Sequence, residues 1–437
     1  MRLDREYAVS LDRADPLASF RSRFAPVEEG LIYLDGNSLG RLPLASGGRV
    51  ESTVASEWGE RLVRGWGDGW IHWPQRLGAK IAPLIGAQED EVIVCDSTSV
   101  NFFKLACAAL RHQAQRTGIV TDDLNFPSDV YLLQGLLSPP PAPSPLAGTN
   151  HPESGEGVPG GQLNVVISQD GMTIDEGQLR DAVSGDTALL TLSHTSFASA
   201  FIHDMDRVTK IAHDKGAMML WDLSHSVGSM PIELNRCRAD LAVGCTYKYV
   251  NGGPGSPAFL YVRKDLQDKL SSPIWGWMGQ NRPFDLGLQY EPAKGISRFL
   301  AGTPPIVSMA ALEPAISMVA EAGLGRIREK SIKLTEFLIA MWEAELEPIG
   351  VRLNSPRESA KRGSHVSLGH DEAWRISMSL IQDMNVIPDF REPDNIRFGL
   401  TPLYTTFDEV WEAVSRLKAV LTQRLYETHS KERTAVT

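Results

Sequence analysis

The 437-residue chain holds only four cysteines, Cys95, Cys107, Cys237 and Cys245, and none stands in CxxC spacing. That pattern excludes a clustered-cysteine zinc site and a disulfide framework, and it fits a reducing compartment. No metal is expected. A run of 18 apolar residues is missing, and the opening MRLDREYAVSLDRADP alternates charges where a secretory signal needs an apolar core. The expectation is a cytoplasmic protein without a membrane partner. Basic residues are not in excess, since 43 Lys and Arg stand against 54 Asp and Glu for a formal net charge of −11. General affinity for nucleic acid or anionic lipid is therefore not expected, although a local basic pocket for a small anion is compatible with that sign. No glycine-rich GxGxxG or GxxxxGK signature occurs at a strand-to-helix turn, which removes the usual support for nicotinamide or P-loop nucleotide binding.

With 42% hydrophobic and 22% charged residues, the chain has the composition of a globular protein and the length of one large domain plus a smaller one. Between about 90 and 262, short apolar runs alternate with helix-like stretches. The runs are 92–95, 118–122, 163–167, 188–193, 217–222, 241–245 and 258–262, with helices expected near 98–112, 128–137, 174–183 and 205–215. Nearly continuous apolar strands separated by helices predict an α/β fold, a three-layer, mainly parallel sheet buried on both faces. The Pro-, Gly- and Ser-rich segment 138–161 interrupts this rhythm and reads as a surface insertion. A long helical region from about 307 to 346 leads into 351–424, where RLNSP, HVSLG and IRFGL alternate with two amphipathic helices. The expected organisation is an N-terminal segment, 1–50, that packs with the small domain or a partner subunit; a large domain, 51–310; and a linking helix with a small α+β domain, 311–437.

The richest stretch in polar chemistry is 221–262. Asp222 ends one apolar strand, and Lys248 follows another, ahead of glycines 252, 253 and 255. Open α/β sheets bind ligands at the carboxyl ends of their strands. A lysine amine and a carboxylate are the two groups that pyridoxal phosphate chemistry requires, one to form a Schiff base and the other to keep the pyridine nitrogen protonated. A strand-end Asp also suits a helix cap, and a lone Lys suits solvent, but Lys248 lies in a low-charge run between buried strands. Burial there favours the neutral amine. Directly after a strand, DSTSVNFFKLACAAL at 96–110 turns from small polar residues into a helix, so Thr98 and Ser99 are candidates for holding a phosphate at a helix N-terminus, with ordinary capping as the alternative.

These residues belong to a wider set: YLDGNSLGRLP at 33–43, GWxxGW at 65–70, NFPSDVY at 125–131, DLSHSVG at 222–228, TYKYVNGGPGSPAF at 246–259, GWMGQ at 276–280 and IRFGLTPLYTTFDEV at 396–410. In combination the sequence resembles the kynureninase family, pyridoxal-phosphate hydrolases of fold type I. The resemblance implies hydrolysis of L-kynurenine to anthranilate and L-alanine by cleavage of the Cβ–Cγ bond, in tryptophan breakdown or NAD supply. It implies Lys248 as the Schiff-base lysine, Asp222 as partner of the pyridine nitrogen, and Phe126 stacked on the ring. Asp129 and His225 lie beside the ring in this correspondence, and Pro127 and Ser128, in the turn with Asp129, contact the cofactor as well. Thr98, Ser99, Tyr247 and Ser193 hold the phosphate or the ring hydroxyl, and Tyr247 is the candidate acid–base. Trp277 and Thr303 correspond to residues that reach the phosphate from a second subunit, so a homodimer with shared sites is implied. Thr303 stands where animal members carry asparagine near the aryl group, which makes plain L-kynurenine the first choice over 3-hydroxy-L-kynurenine.

Arg397 corresponds to the arginine that grips the substrate carboxylate, a task suited to a guanidinium, though a surface ion pair is the ordinary use. Asn37 and Ser38, in the GNSLG turn, are expected near the substrate. Trp66, Trp70 and Trp73 are available to wall an aromatic pocket or to pack a core, and His72 between them to touch the ring or to serve structure. Rival readings are another fold type I enzyme, such as a cysteine desulfurase or an aminotransferase, and a non-catalytic binding protein on the same fold. A desulfurase needs an exposed, reactive cysteine on a loop.

Overall fold

The computed structural model describes residues 2–137 and 161–433. All but the last residue of the expected surface insertion, 138–161, lies outside them. The expected apolar runs form a seven-stranded sheet: β1 (Val92–Val94), β2 (Gly118–Asp122), β3 (Gln162–Val166), β4 (Thr187–Ser193), β5 (Met218–Asp222), β6 (Leu241–Gly244) and β7 (Phe259–Val262). Their order is β1-β7-β6-β5-β4-β2-β3. Neighbours from β3 to β6 run parallel, and β7 alone runs antiparallel, to β6 and to β1.

Alternate residues of these strands enter two different cores, which is why the runs are apolar throughout. Leu189, Leu220, Val243 and Leu260 pack with Phe102 and Leu105 of the helix Thr98–His112. Leu190, Met219, Trp221 and Phe259 pack on the opposite face with Val208 and Ile211 of Met205–Asp214 and with Leu77 and Ile81 of Trp73–Ile81. The result is helix, sheet and helix in three layers.

The long helical region is two helices, Ile306–Ala322 and Leu324–Met341, broken at Gly323 and bent by 79°. Gly323 has φ +78°, a conformation that L side chains rarely adopt, so the chain turns there. Among the described residues no single helix is long and apolar enough to cross a membrane. A second core gathers around a four-stranded antiparallel sheet ordered Asp389–Arg391, Asn395–Gly399, His365–Gly369, Arg352–Leu353. The helices Ala373–Met384 and Phe407–Thr422 contribute Ile376, Leu380, Val410 and Leu417 to that core. Sequence patterning did not single out Asp389–Arg391, because DFREPD is charged and includes Pro393.

The N-terminal helix Arg5–Arg13 packs on this second core in the same chain, with Arg5 forked onto Asp408 at 2.7 and 3.0 Å and Tyr7 against Phe337. Ile32–Tyr33 pairs in parallel with Val386–Ile387. From there the chain turns through Gly36 and Gly40 toward the large sheet, where the Gly40 N–H donates to the Tyr247 carbonyl at 2.7 Å. A Cβ on Gly40 would lie 2.4 Å from the Lys248 carbonyl, so only glycine allows this approach. The turn joins the two cores beside Lys248.

Candidate active site

Asp222 ends β5 and is 5% exposed. Its Oδ1 accepts the Ser224 N–H at 2.8 Å. Burial raises its carboxyl above the usual range, while Ser224 and Lys248 pull the other way. Lys248, on the turn after β6, has its Nζ 3.1 Å from His225 Nε2 and 5.8 Å from the centre of the Phe126 ring. Burial lowers the lysine toward the neutral amine. His225 is held well below the usual imidazole value, first by burial and then by the Lys248 charge. Asp129, on the first turn of the helix Pro127–Leu137, is also buried; its Oδ2 has no hydrogen-bond partner. Burial and the neighbouring Asp222 push it well above the carboxylate range. Two buried carboxyl groups, one raised by the other, suit one more positive charge beside them, which a protonated pyridine ring would supply.

Beside this group lies a cleft of about 510 Å³ lined by Thr98, Ser99, Tyr247, Ser256 and Thr303. Ser97, which caps the helix Thr98–His112 by accepting the Val100 N–H, leaves Thr98 and Ser99 as its first two residues. Their backbone N–H groups and hydroxyls would face an anion in the cleft with the helix dipole behind them. Ser99 Oγ lies 3.1 Å from Ser128 Oγ, so the cleft connects to the Phe126–Asp129 turn. Phe126 is 38% exposed and meets Phe197 edge-on at 5.4 Å, which leaves ring surface for a flat ligand. Ser193, at the end of β4, donates to Asn125 Oδ1 at 2.6 Å. Pyridoxal phosphate fits these residues: an amine, a pair of carboxyls, an aromatic face and a helix N-terminus converge at the strand ends.

Opposite stands the small sheet. Arg397, 1% exposed, donates to the Phe197 carbonyl, to Ser38 Oγ at 3.2 Å and to Asp389, which also accepts from Ser38 at 3.1 Å. Its Nε has no partner, and burial pushes it down to about 10. Asn37 is wholly buried with both amide atoms unpartnered. A Cβ on Gly399 would sit 1.9 Å from Asn37 Oδ1, so Gly399→Ala is expected to displace Asn37 and cost about 1–3 kcal/mol, read from a denaturant midpoint.

The structure thus gathers Asn37, Ser38, Thr98, Ser99, Phe126, Pro127, Ser128, Asp129, Ser193, Asp222, His225, Tyr247, Lys248, Thr303 and Arg397 around one region. Thr303, which the resemblance assigns to a partner's site, lines the cleft of its own chain. Trp277 lines none of that cleft; it is 37% exposed and lies against Phe284. The tryptophans near 70 are used in packing: Trp73 is held between Arg49 and Arg76, each 4.9 Å from the ring, and Trp70 donates to Glu57 at 2.7 Å. Their cavity shares no lining residue with the cleft. Sequence reasoning did not single out Asn125, Phe197, His365 or Asp389. The last two carry no local signal, because only strand register sets them on Arg397's face, Asp389 opposite Arg397 and His365 opposite Gly399.

A sequence model of the kynureninase C-terminal domain matches residues 327–417. The chain is 42% identical over 427 residues to a kynureninase of Pseudomonas fluorescens, covering 97% of this chain and 96% of that one. It is 43% identical over 422 residues to kynureninases of Burkholderia mallei strain SAVP1 and Burkholderia pseudomallei strain 1106a, covering 95% of each chain. The chain belongs to the kynureninase family. Solved structures share its fold at low identity. A cysteine desulfurase from Thermococcus onnurineus NA1 superposes with TM-score 0.74 at 20% identity, covering 97% of this chain and 99% of that one. A C-DES variant with glycine covalently linked to its PLP cofactor superposes with TM-score 0.76 at 16% identity, covering 91% and 98%. The fold is that of type I pyridoxal-phosphate enzymes, and the strand order places this kynureninase-family chain's Lys248 and Asp222 at the carboxyl ends of its central strands.

Proposed function

We propose that the chain hydrolyses L-kynurenine to anthranilate and L-alanine with pyridoxal 5′-phosphate seated between Lys248, Asp222 and the Thr98 helix. The observation that carries this reading is the half-buried lysine 3.1 Å from His225, facing a buried arginine across the junction of two cores, in a chain of the kynureninase family. When bound, the cofactor supplies an electron sink conjugated to the substrate Cα. Thr98, Ser99 and the helix N-terminus hold its phosphate, Phe126 covers one ring face, and Asp222 keeps a proton on the ring nitrogen. Asp129, whose carboxyl burial and Asp222 raise well above the usual range, stands beside the ring. Lys248 Nζ, lowered toward the neutral amine, would take the proton from the substrate Cα. Arg397 fixes the substrate carboxylate, so that Cα stands over Lys248 Nζ. Tyr247 is pushed above the ordinary phenol value, first by the neighbouring Cys245 and then by burial, so it stays a proton donor at neutral pH. It stands ready for the γ-carbonyl oxygen as water adds and the Cβ–Cγ bond breaks.

A desulfurase reading is less supported. All four cysteines are buried, and burial pushes Cys95, Cys237 and Cys245 above the ordinary thiol value, away from the thiolate that such chemistry uses. The same reading extends to a cytoplasmic homodimer. Trp275, Phe284, Leu286 and Leu288 are each at least 65% exposed, an apolar surface suited to burial against a second copy, and Trp277 lies among them. The test is to incubate the holoenzyme with L-kynurenine and with 3-hydroxy-L-kynurenine and to follow both products. Anthranilate and L-alanine in equal amounts, with the higher kcat/KM for L-kynurenine, are expected. Pyruvate in place of alanine, or no aryl product from either compound, overturns the reading.

A further inference from the structure

One buried group at the junction of the two cores has no partner and no role above. His365 begins the strand His365–Gly369, is wholly buried, and neither ring nitrogen makes a hydrogen bond. The Phe197 carbonyl, which already receives Arg397, lies near enough to favour the charged ring but is not in line for a hydrogen bond. A neutral imidazole has one donor and one acceptor, and a fold seldom leaves both unmade in its interior unless a ligand or water completes them.

Its place on the sheet says which ligand. His365 stands directly opposite Gly399, and Ser367 directly opposite Arg397, in an antiparallel pair. Opposed residues share a face, and so do residues two apart, so His365 and Arg397 point to the same side. Asn37 fills the space above Gly399 on that side, with its amide unpartnered. The His365 ring lies 5.9 Å from the His225 ring, which in turn meets Lys248. Burial together with the charges of Arg397 and Lys248 keeps His365 uncharged, so it offers one N–H. A guanidinium Nε–H, an amide and an imidazole N–H, all without partners, form a donor set for a carboxylate rather than for an amine or an aryl ring.

We propose that His365 completes the cradle of the substrate α-carboxylate, donating to the oxygen beside the one that Arg397 holds and so fixing the rotation of Cα above Lys248. This rests on the reading of Arg397 as the carboxylate arginine. The probes are L-alanine and L-alaninamide, which lacks only the carboxylate charge, titrated into the holoenzyme by the change in cofactor absorbance. Wild type is expected to prefer L-alanine strongly. His365→Phe is expected to cut that preference at least tenfold and to raise KM for L-kynurenine by a similar factor, with cofactor affinity unchanged; His365→Asn, which retains a donor, is expected to recover most of both. A purely structural histidine would weaken both probes alike, so a preference unchanged in both variants overturns the proposal, whatever Arg397→Lys does. If Arg397→Lys leaves the preference intact while His365→Phe removes it, the reading of Arg397 falls and that of His365 stands.

Discussion

Lys248→Ala is expected to lower kcat for L-kynurenine by about 10³-fold or more, and to leave added pyridoxal phosphate without the absorbance change that marks its covalent attachment. The size follows from two losses at one atom. A positioned acid–base group contributes about 10²–10⁴-fold, and removal of the amine also deletes the covalent link. The environment of Lys248 is built for that amine: burial favours its neutral form, and its hydrogen-bond partner is a histidine that is itself held neutral. Single-turnover kinetics with excess enzyme check the first expectation, and a spectrophotometric titration with the cofactor checks the second. Kinetics within tenfold of wild type would remove Lys248 from the chemistry.

Arg397→Lys is expected to raise KM for L-kynurenine by about 30- to 100-fold while cofactor affinity stays within a few-fold. Arg397 is 1% exposed and held by the Phe197 carbonyl, Ser38 and Asp389, so its guanidinium is oriented before a ligand arrives. A lysine preserves the charge but replaces a planar fork by a point donor, and the loss of one charge-assisted hydrogen bond amounts to about 2–3 kcal/mol. At about 1.4 kcal/mol for each factor of ten, that is the stated range. Steady-state kinetics with L-kynurenine, together with L-alanine binding, give the measurement. An unchanged KM would assign Arg397 to holding Asp389 and the turn at Ser38 alone.

Lys248 was legible in the sequence because it follows the apolar LAVGC in a low-charge run. Arg397 came through the family resemblance, with the apolar IRFGL around it. The large sheet was legible for the same reason: strands buried on both faces are mostly apolar, and β4 to β7 are buried at every position. Thr98 and Ser99 were visible as polar residues between a strand and a helix, where an N-terminus needs them. His365 and Asp389 were not. A histidine in HVSLG and an aspartate in DFREPD carry no local signal, because what distinguishes them is the residue across the sheet. The tryptophans near 70 left two uses open in the sequence, an aromatic wall and packing; in the fold Trp73 lies between two arginines and Trp70 donates to Glu57.

By itself the sequence determined the alternation of strand and helix, the family, and the chemical identities of the lysine, the aspartate and the arginine, since these depend on local pattern and on residue type. Tertiary structure decided what those groups face. Gly36 and Gly40 let the N-terminal turn pass between the two cores, and only that passage sets Asn37 above Gly399 and Ser38 on Arg397. The bend at Gly323 carries the chain to a second sheet whose register puts His365 opposite Gly399. Contacts between residues hundreds of positions apart leave no periodicity in the chain, because they arise from how two finished cores meet.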